Sequence, residues 1–417
     1  MKTNWGGNLR YGASGFRRAG SVAEVQDIVA ASDRLRVLGS RHSFSDIADT
    51  AGIHLSLEDM GGIEAIDPER RKVTVGGGIR YADLARGLQA QGWALANMAS
   101  LPHISVAGAV VTATHGSGSG IGNLATAVAA IEFVTGRGEV LRLARGEDAF
   151  AGAVVNLGAL GVMVRLTLDI EPTYDVRQTV YLGLSHDVLA EAFEAVFAAG
   201  TSVSVFTGWQ GARAHAVWVK DRVRAAGAPP NEIFGARAAE AAQHPLPGAP
   251  AESCTVQMGV AGPWHERLPH FRPDVVPSNG AEIQAEYFLP RDRARQAIAV
   301  LRRHGDRLAP VLMVSEVRTV AADGLWLSPS RGEPYFGLHF TFRRDWEAIR
   351  AVLPALEADL APLGAVPHWG KVTTMAPEQI AARYPRMAEF RDLVAAHDPA
   401  GRLRNGFVER MVFGRAG

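Results

Sequence analysis

The sequence predicts a mixed α+β protein. Three observations lead there: β-rich runs that stop at glycine-rich turns, helix starts marked by capping residues, and two later segments whose polar and apolar residues alternate with period two. Taken in order, Ser21-Val22-Ala23-Glu24 has the form of a capping box, and Val22, Val25, Ile28 and Val29 recur at helical spacing behind it. Residues 35–38 read as a short buried strand that runs into Val37-Leu38-Gly39-Ser40-Arg41-His42-Ser43-Phe44. Gly39 and Ser40 can turn their backbone N–H groups toward an anion without a side chain in the way, and His42 is held beside whatever binds. Residues 63–66 and 72–75 read as strands around Asp67-Pro68-Glu69-Arg70, and Gly76-Gly77-Gly78 leads into a helix over 81–91. The strand-turn-strand pattern returns over 131–143 around Thr135-Gly136-Arg137-Gly138. A third glycine-rich turn is Thr114-His115-Gly116-Ser117-Gly118-Ser119-Gly120. Three such loops in the first third of a chain suggest one large phosphate-bearing cofactor.

From residue 173 the glycine-rich turns thin out, so the sequence is divided into residues 1–172, 173–376 and 377–417. Residues 223–250 are dominated by Ala, Pro and charged residues in helical or loop patterns. Alternation over 312–320 and 336–342, followed by a helix-like 344–360, predicts a sheet with helices packed on one side. The stretch His397-Asp398-Pro399-Ala400-Gly401 onward returns to loop chemistry and is expected to close back onto the first region.

Composition narrows the function. An apolar share of 47% over 417 residues is enough for two packed cores. Lys+Arg and Asp+Glu number 43 each, so no net charge favours nucleic acid or an anionic membrane surface. The single cysteine, Cys254, forms no intrachain disulfide, and no cysteine cluster offers a metal site. The first residues lack the apolar core of a signal peptide, and no run has the roughly 18 apolar residues of a membrane span, so a cytoplasmic protein is expected. No long apolar helix face looks unpaired, which favours a monomer. A nicotinamide cofactor is disfavoured, because none of the glycine loops fits G-x-G-x-x-G between a strand and a helix.

The ordered set Gly39-Ser40-Arg41-His42-Ser43, Val75-Gly76-Gly77-Gly78, Ser100-Leu101-Pro102-His103-Ile104-Ser105-Val106-Ala107-Gly108, Thr114-His115-Gly116-Ser117-Gly118 and Gly158-Ala159-Leu160-Gly161-Val162 resembles the vanillyl-alcohol-oxidase-type flavoproteins. Within them the chain is most similar to the alditol oxidases, also called xylitol oxidases, from about Phe16 to the C-terminus. The resemblance implies a PCMH-type FAD-binding domain over 1–172, an α+β substrate-binding cap over 173–376, and a C-terminal segment returning to the FAD domain. It implies an FAD held by Val37, Leu38, Gly39, Ser40, Arg41, Ser43, Ser100, Ser105, Gly108, Thr114, His115, Gly116, Ser117, Gly161 and Val162. His42 matches the position of covalent 8α-histidyl attachment. That chemistry suits imidazole, whose neutral ring nitrogen is nucleophilic near neutral pH. No cysteine is placed for a second flavin bond.

On the substrate side, Glu316 and Arg318 share one strand face, as do His339 and Thr341. From pattern alone, an exposed and weak Glu316–Arg318 ion pair is the more natural reading. The resemblance implies instead that Ser100, Glu316, Arg318, His339, Thr341 and Lys371 line a pocket that reads a polyol's hydroxyls. It implies hydride transfer from the terminal carbon to flavin N5, with Arg318 and Lys371 stabilising the alkoxide and either Lys371 or His339 taking the proton. Glu316 would accept hydrogen bonds from the substrate and fix Arg318. Ala99 aligns with a position where a small side chain admits oxygen, so hydrogen peroxide is the expected co-product. His103 and His115 are expected to have structural or cofactor-packing roles, and His368 stays unassigned. An aldonolactone oxidase or dehydrogenase of the gulonolactone or arabinonolactone type, and a flavin-binding protein without turnover, are the competing readings.

Overall fold

A computed structural model of the chain describes residues 2–223, 227–275 and 281–415. Its N-terminal third is built on two sheets. A parallel three-stranded sheet sets Ile53–Ser56 between Gly15–Arg18 and Leu35–Val37. An antiparallel five-stranded sheet runs in the order Ile63–Asp67, Lys72–Gly76, Gly161–Asp169, Val128–Thr135, Val140–Ala144. Both expected hairpins are in it. The helix expected behind the capping box spans Val22–Ala30: Ser21 Oγ accepts from the Glu24 N–H at 3.2 Å, and the Glu24 carboxylate accepts from the Gly20 N–H at 2.8 Å. Its stripe of Val25 and Val29 is buried with Leu35 and Leu55. The helix after the triple glycine spans Tyr81–Gln89.

The rest of the chain folds around a ten-stranded sheet. Its six long strands are antiparallel, in the order Asp175–Leu182, Ala216–Arg222, Ser202–Thr207, Leu312–Val320, Tyr335–Arg343, Glu282–Pro290. Register across the last three puts Glu316 opposite His339 and His339 opposite Glu286, so these polar side chains share one face. The other face carries Tyr287, Leu338 and Phe340 and packs against the helices Ala294–Leu308 and Trp346–Leu360. Tyr287 OH, for example, donates to Glu357 of the second helix at 2.5 Å. The expected sheet with helices on one side is therefore present, its open face free for chemistry.

Residues 223–250 hold two short strands, Glu232–Ile233 and Ala236–Ala238, and loop, with no helix among the described residues. Prolines at 229, 230, 245, 247 and 250 interrupt any helical run there. Residues 224–226 of that segment lie outside the described residues. Near the C-terminus, Asn405 Nδ2 donates to the carbonyls of Asp46, Ile47 and Asp49 at 2.8–3.1 Å. The buried Arg36 guanidinium gathers the carbonyls of Ile47, Leu157, Gly158 and Leu403. Among the described residues no helix is long and apolar enough to cross a membrane.

Candidate active site

One cavity brings together the glycine-rich turns and the open face of the large sheet. On the turn side it is lined by Val37, Leu38, Gly39, Ser40, Arg41, His42 and Ser43, and further on by Ala99, Ser100, Ser105, Gly108, Thr114, His115 and Gly161. On the sheet side it is lined by Glu316, Arg318, His339, Thr341 and Lys371. Gly116, Ser117 and Val162 stand behind this lining. Val162 points to the opposite face of its strand, into the cluster of Leu35 and Leu55, while Gly161 and Met163 face the cavity. Ser117 Oγ donates to the Val203 carbonyl and accepts from the Thr319 N–H, and the Gly116 carbonyl accepts from His115 Nδ1 at 2.7 Å.

The turn at 37–44 is shaped by close approach. A Cβ on Gly39 would lie 2.5 Å from Ser105 Oγ and would force that hydroxyl to turn away, and Ser40 Oγ accepts the Ser105 N–H at 3.2 Å. Arg41 takes the left-handed conformation, with φ 63°, and this swings His42 inward. The His42 ring stacks on Trp5 with centroids 5.2 Å apart. Burial, helped by His103 and Lys371, pushes its pKa down to about 4, so the ring is neutral at physiological pH. Its Nδ1 is buried without a hydrogen-bond partner among the described residues. An orphaned ring nitrogen beside a backbone cradle fits a flavin nucleotide bound there. The turn is also stitched to the Lys371 segment: the Phe44 N–H donates to the Gly370 carbonyl and Ser45 Oγ to the Trp369 carbonyl, each at 2.7 Å.

The sheet face departs from the pattern-only alternative of an exposed pair and from the expectation that Glu316 fixes Arg318. Glu316 and Arg318 are both buried on a central strand, not exposed, and their closest approach is 3.6 Å from Arg318 Nε to Glu316 Oε1. Arg318 is held instead by Glu286, at 2.8 Å from Nη2. Its Nη1 donates to Ser100 Oγ at 3.3 Å. Glu286 also accepts from His115 Nε2 at 3.0 Å, which ties the cofactor wall to the substrate wall. Burial opposes charge on Glu286, but His115 and Arg318 outweigh it and hold the carboxyl well below the usual carboxylate range. Glu316 is likewise held low, against burial, by Arg318 and His270.

Lys371 Nζ donates to Gln284 Oε1, and burial pushes its pKa down to about 8. Burial and the neighbouring Lys371 push His339 down to about 3. His368 Nδ1 accepts the Gly370 N–H at 2.9 Å, which makes it a turn cap, and His103 Nε2 meets the Pro273 carbonyl at 2.8 Å.

Sequence reasoning missed Glu286, Gln284 and His270. The first two were findable: Glu282-Ile283-Gln284-Ala285-Glu286-Tyr287 alternates polar and apolar as clearly as the strands that were read. His270 lies in a loop with no period. Its N–H donates to the Ser100 carbonyl at 3.0 Å and its Nε2 to Glu316 at 2.8 Å, so one unread residue fastens two that were read.

A glycine-rich wall facing a sheet of buried acids and cations, together with the family matches of this chain, places it among the flavin-dependent oxidoreductases. Residues 13–144 match the FAD binding domain family, and residues 281–411 match the D-arabinono-1,4-lactone oxidase family. The alditol oxidase of a Streptomyces species is 48% identical over 99% of both chains. The L-gulono-1,4-lactone dehydrogenase of Mycobacterium tuberculosis is 28% identical over 98% of both. The structure of a solvent-stable cholesterol oxidase superposes with a TM-score of 0.76, at 14% identity, over 98% of this chain and 96% of that one, a likeness of fold. The chain belongs to the alditol oxidase family of FAD-linked oxidases.

Proposed function

We propose that this protein oxidises the terminal primary hydroxyl of a polyol such as xylitol or sorbitol to the aldehyde, with oxygen reduced to hydrogen peroxide. The carrying observation is the buried sheet face on which Glu316, His339 and Thr341 offer uncharged or acceptor contacts beside the Arg318 guanidinium and the Lys371 amine. A polyol, with a hydroxyl on nearly every carbon and no charge, matches such a wall. The likeness to a Streptomyces alditol oxidase at 48% identity, against 28% for a lactone dehydrogenase, supports the same choice.

Bound FAD supplies the hydride acceptor. The residues that would hold it are those of the turn wall, with His42 as the point of covalent attachment and Gly116, Ser117 and Val162 supporting the loops from behind. Arg318, fixed by Glu286, stabilises negative charge on the reacting oxygen. Lys371 Nζ takes the hydroxyl proton: with a pKa of about 8 it is a far better base near neutrality than His339 at about 3. Its ammonium then faces the oxygen it has deprotonated. Glu316 and Thr341 accept the other hydroxyls, and Ser100 braces Arg318. Ala99, with its small side chain, keeps the oxygen route clear. A single cysteine, unable to form an intrachain disulfide, is in keeping with a reducing, cytoplasmic setting.

The match of residues 281–411 to a lactone oxidase family keeps an aldonolactone as the second substrate class. Anaerobic spectra recorded with xylitol, sorbitol and an aldonolactone decide. Bleaching of the flavin by the polyols is expected; bleaching by the lactone alone overturns the polyol reading, and a yellow protein that neither class bleaches is a flavin carrier without turnover.

A further inference from the structure

Lys220 is a buried amine that the chemistry above does not use, and burial pushes its pKa down to about 7. It sits on the Ala216–Arg222 strand, 1% exposed, outside the lining of the cavity. Among the described residues no carboxylate lies within 4.0 Å of it, yet its three ammonium protons meet three acceptors: the Leu268 carbonyl at 2.5 Å, the Pro269 carbonyl at 2.9 Å and His270 Nδ1 at 3.0 Å. An ammonium has no lone pair. Against the ammonium, the dominant form below a pH of about 7, His270 Nδ1 must therefore be bare, and the single proton of this ring, kept neutral by burial, resides on Nε2, which donates to Glu316 Oε1 at 2.8 Å. The opposite tautomer would set N–H against ammonium at one end and a lone pair against a carboxylate at the other. Glu316 Oε1 also faces Arg318 Nε, while Oε2 accepts no hydrogen bond from the described residues on the cavity-lining side chain.

We infer that Lys220 is a positioning residue for the polyol site: by fixing the His270 tautomer it commits one oxygen of Glu316 to the protein and leaves the other to a substrate hydroxyl. A buried ammonium without a counter-ion is costly, and here it is held where, among the described residues, its one side-chain acceptor is the ring that touches the site. The charged or titratable groups around it are Glu316, Arg318, His270 and the Cys254 thiol. The inference rests on the polyol reading. Because Arg318 has its own anchor in Glu286, removing Lys220 should weaken substrate binding more than the chemical step.

The test is Lys220→Met in the flavin-loaded enzyme, alone and combined with His270→Gln, read as anaerobic flavin reduction against xylitol concentration. Lys220→Met should raise the half-saturating concentration about tenfold or more, with flavin content kept and the limiting rate within about threefold. In the His270→Gln background the amide N–H serves Glu316 without a tautomer to be set, so Lys220→Met should add little. Unchanged affinity in the single variant, or an equal loss in both backgrounds, overturns the inference. Should Lys220→Met not accumulate, nitrogen-15 NMR of histidine in the unaltered enzyme carries the test: His270, assigned by the signal lost in His270→Gln, must show a protonated Nε2 and a bare Nδ1, and the reverse overturns it. A parent enzyme that xylitol does not bleach sinks the polyol reading instead, and the tautomer still reports on the Lys220 link.

Discussion

Arg318 reaches past a neighbouring strand to place Nη2 2.8 Å from a carboxylate oxygen of Glu286. The strand between them, Tyr335–Arg343, puts Gly337 opposite Arg318 in register, and the missing side chain leaves the passage open. A Cβ on Gly337 would lie 3.3 Å from both Glu286 Oε1 and His115 Cε1. Glu286→Gln should keep the shape but lose the charge that orients the guanidinium. The expected outcome is a limiting rate of flavin reduction lower by about ten- to a hundredfold, with flavin content unchanged. Gly337→Ala should lower the same rate in the same direction. Normal reduction in both variants would remove this ion pair from the mechanism.

His42→Ala should release flavin into the supernatant when the protein is precipitated with acid, whereas the parent should keep its colour in the pellet. Flavin lost from both would refute the covalent bond while leaving the binding wall intact.

The pH dependence follows from Lys371. Its reactive form as a base is the neutral amine, and burial brings its pKa down to about 8. The rate of flavin reduction at saturating polyol should therefore rise with pH through about 8 and level off above it. Lys371→Met should flatten that rise, and His339→Gln should preserve it, because the ring, at about 3, does not titrate in this range. A rise that survives in Lys371→Met assigns the proton to another group.

Ala99 is tested on the oxygen side. Ala99→Gly should retain peroxide formation, measured per flavin reoxidised, and Ala99→Pro should suppress it. Equal oxygen reactivity in the two variants would show that this side chain controls no passage.

Local signals were legible where one physical rule dominated. The capping box at Ser21, the hairpin around Asp67 and the alternation through Glu316 and Arg318 each depend on neighbours in sequence, and each appears at its place in the fold. The partners of those residues were not legible. Glu286 meets Arg318 only because a third strand intervenes with a glycine, and His270 meets Glu316 from a loop 46 residues away. Strand order and loop path are set by the whole chain's packing, which a period of two does not encode. Val162 shows the converse: it belongs to the motif by sequence, but the pleat turns its side chain away from the cavity.

The seam between Phe44 and Gly370 fastens the His42 turn to the Lys371 segment through backbone hydrogen bonds. Anyone recombining its nucleotide-holding part with the reactant-holding part of a lactone-type relative would cut through paired backbone, not through a linker. The graft would have to exchange both edges together, or the imidazole and the lysine amine would no longer face one another across the same space.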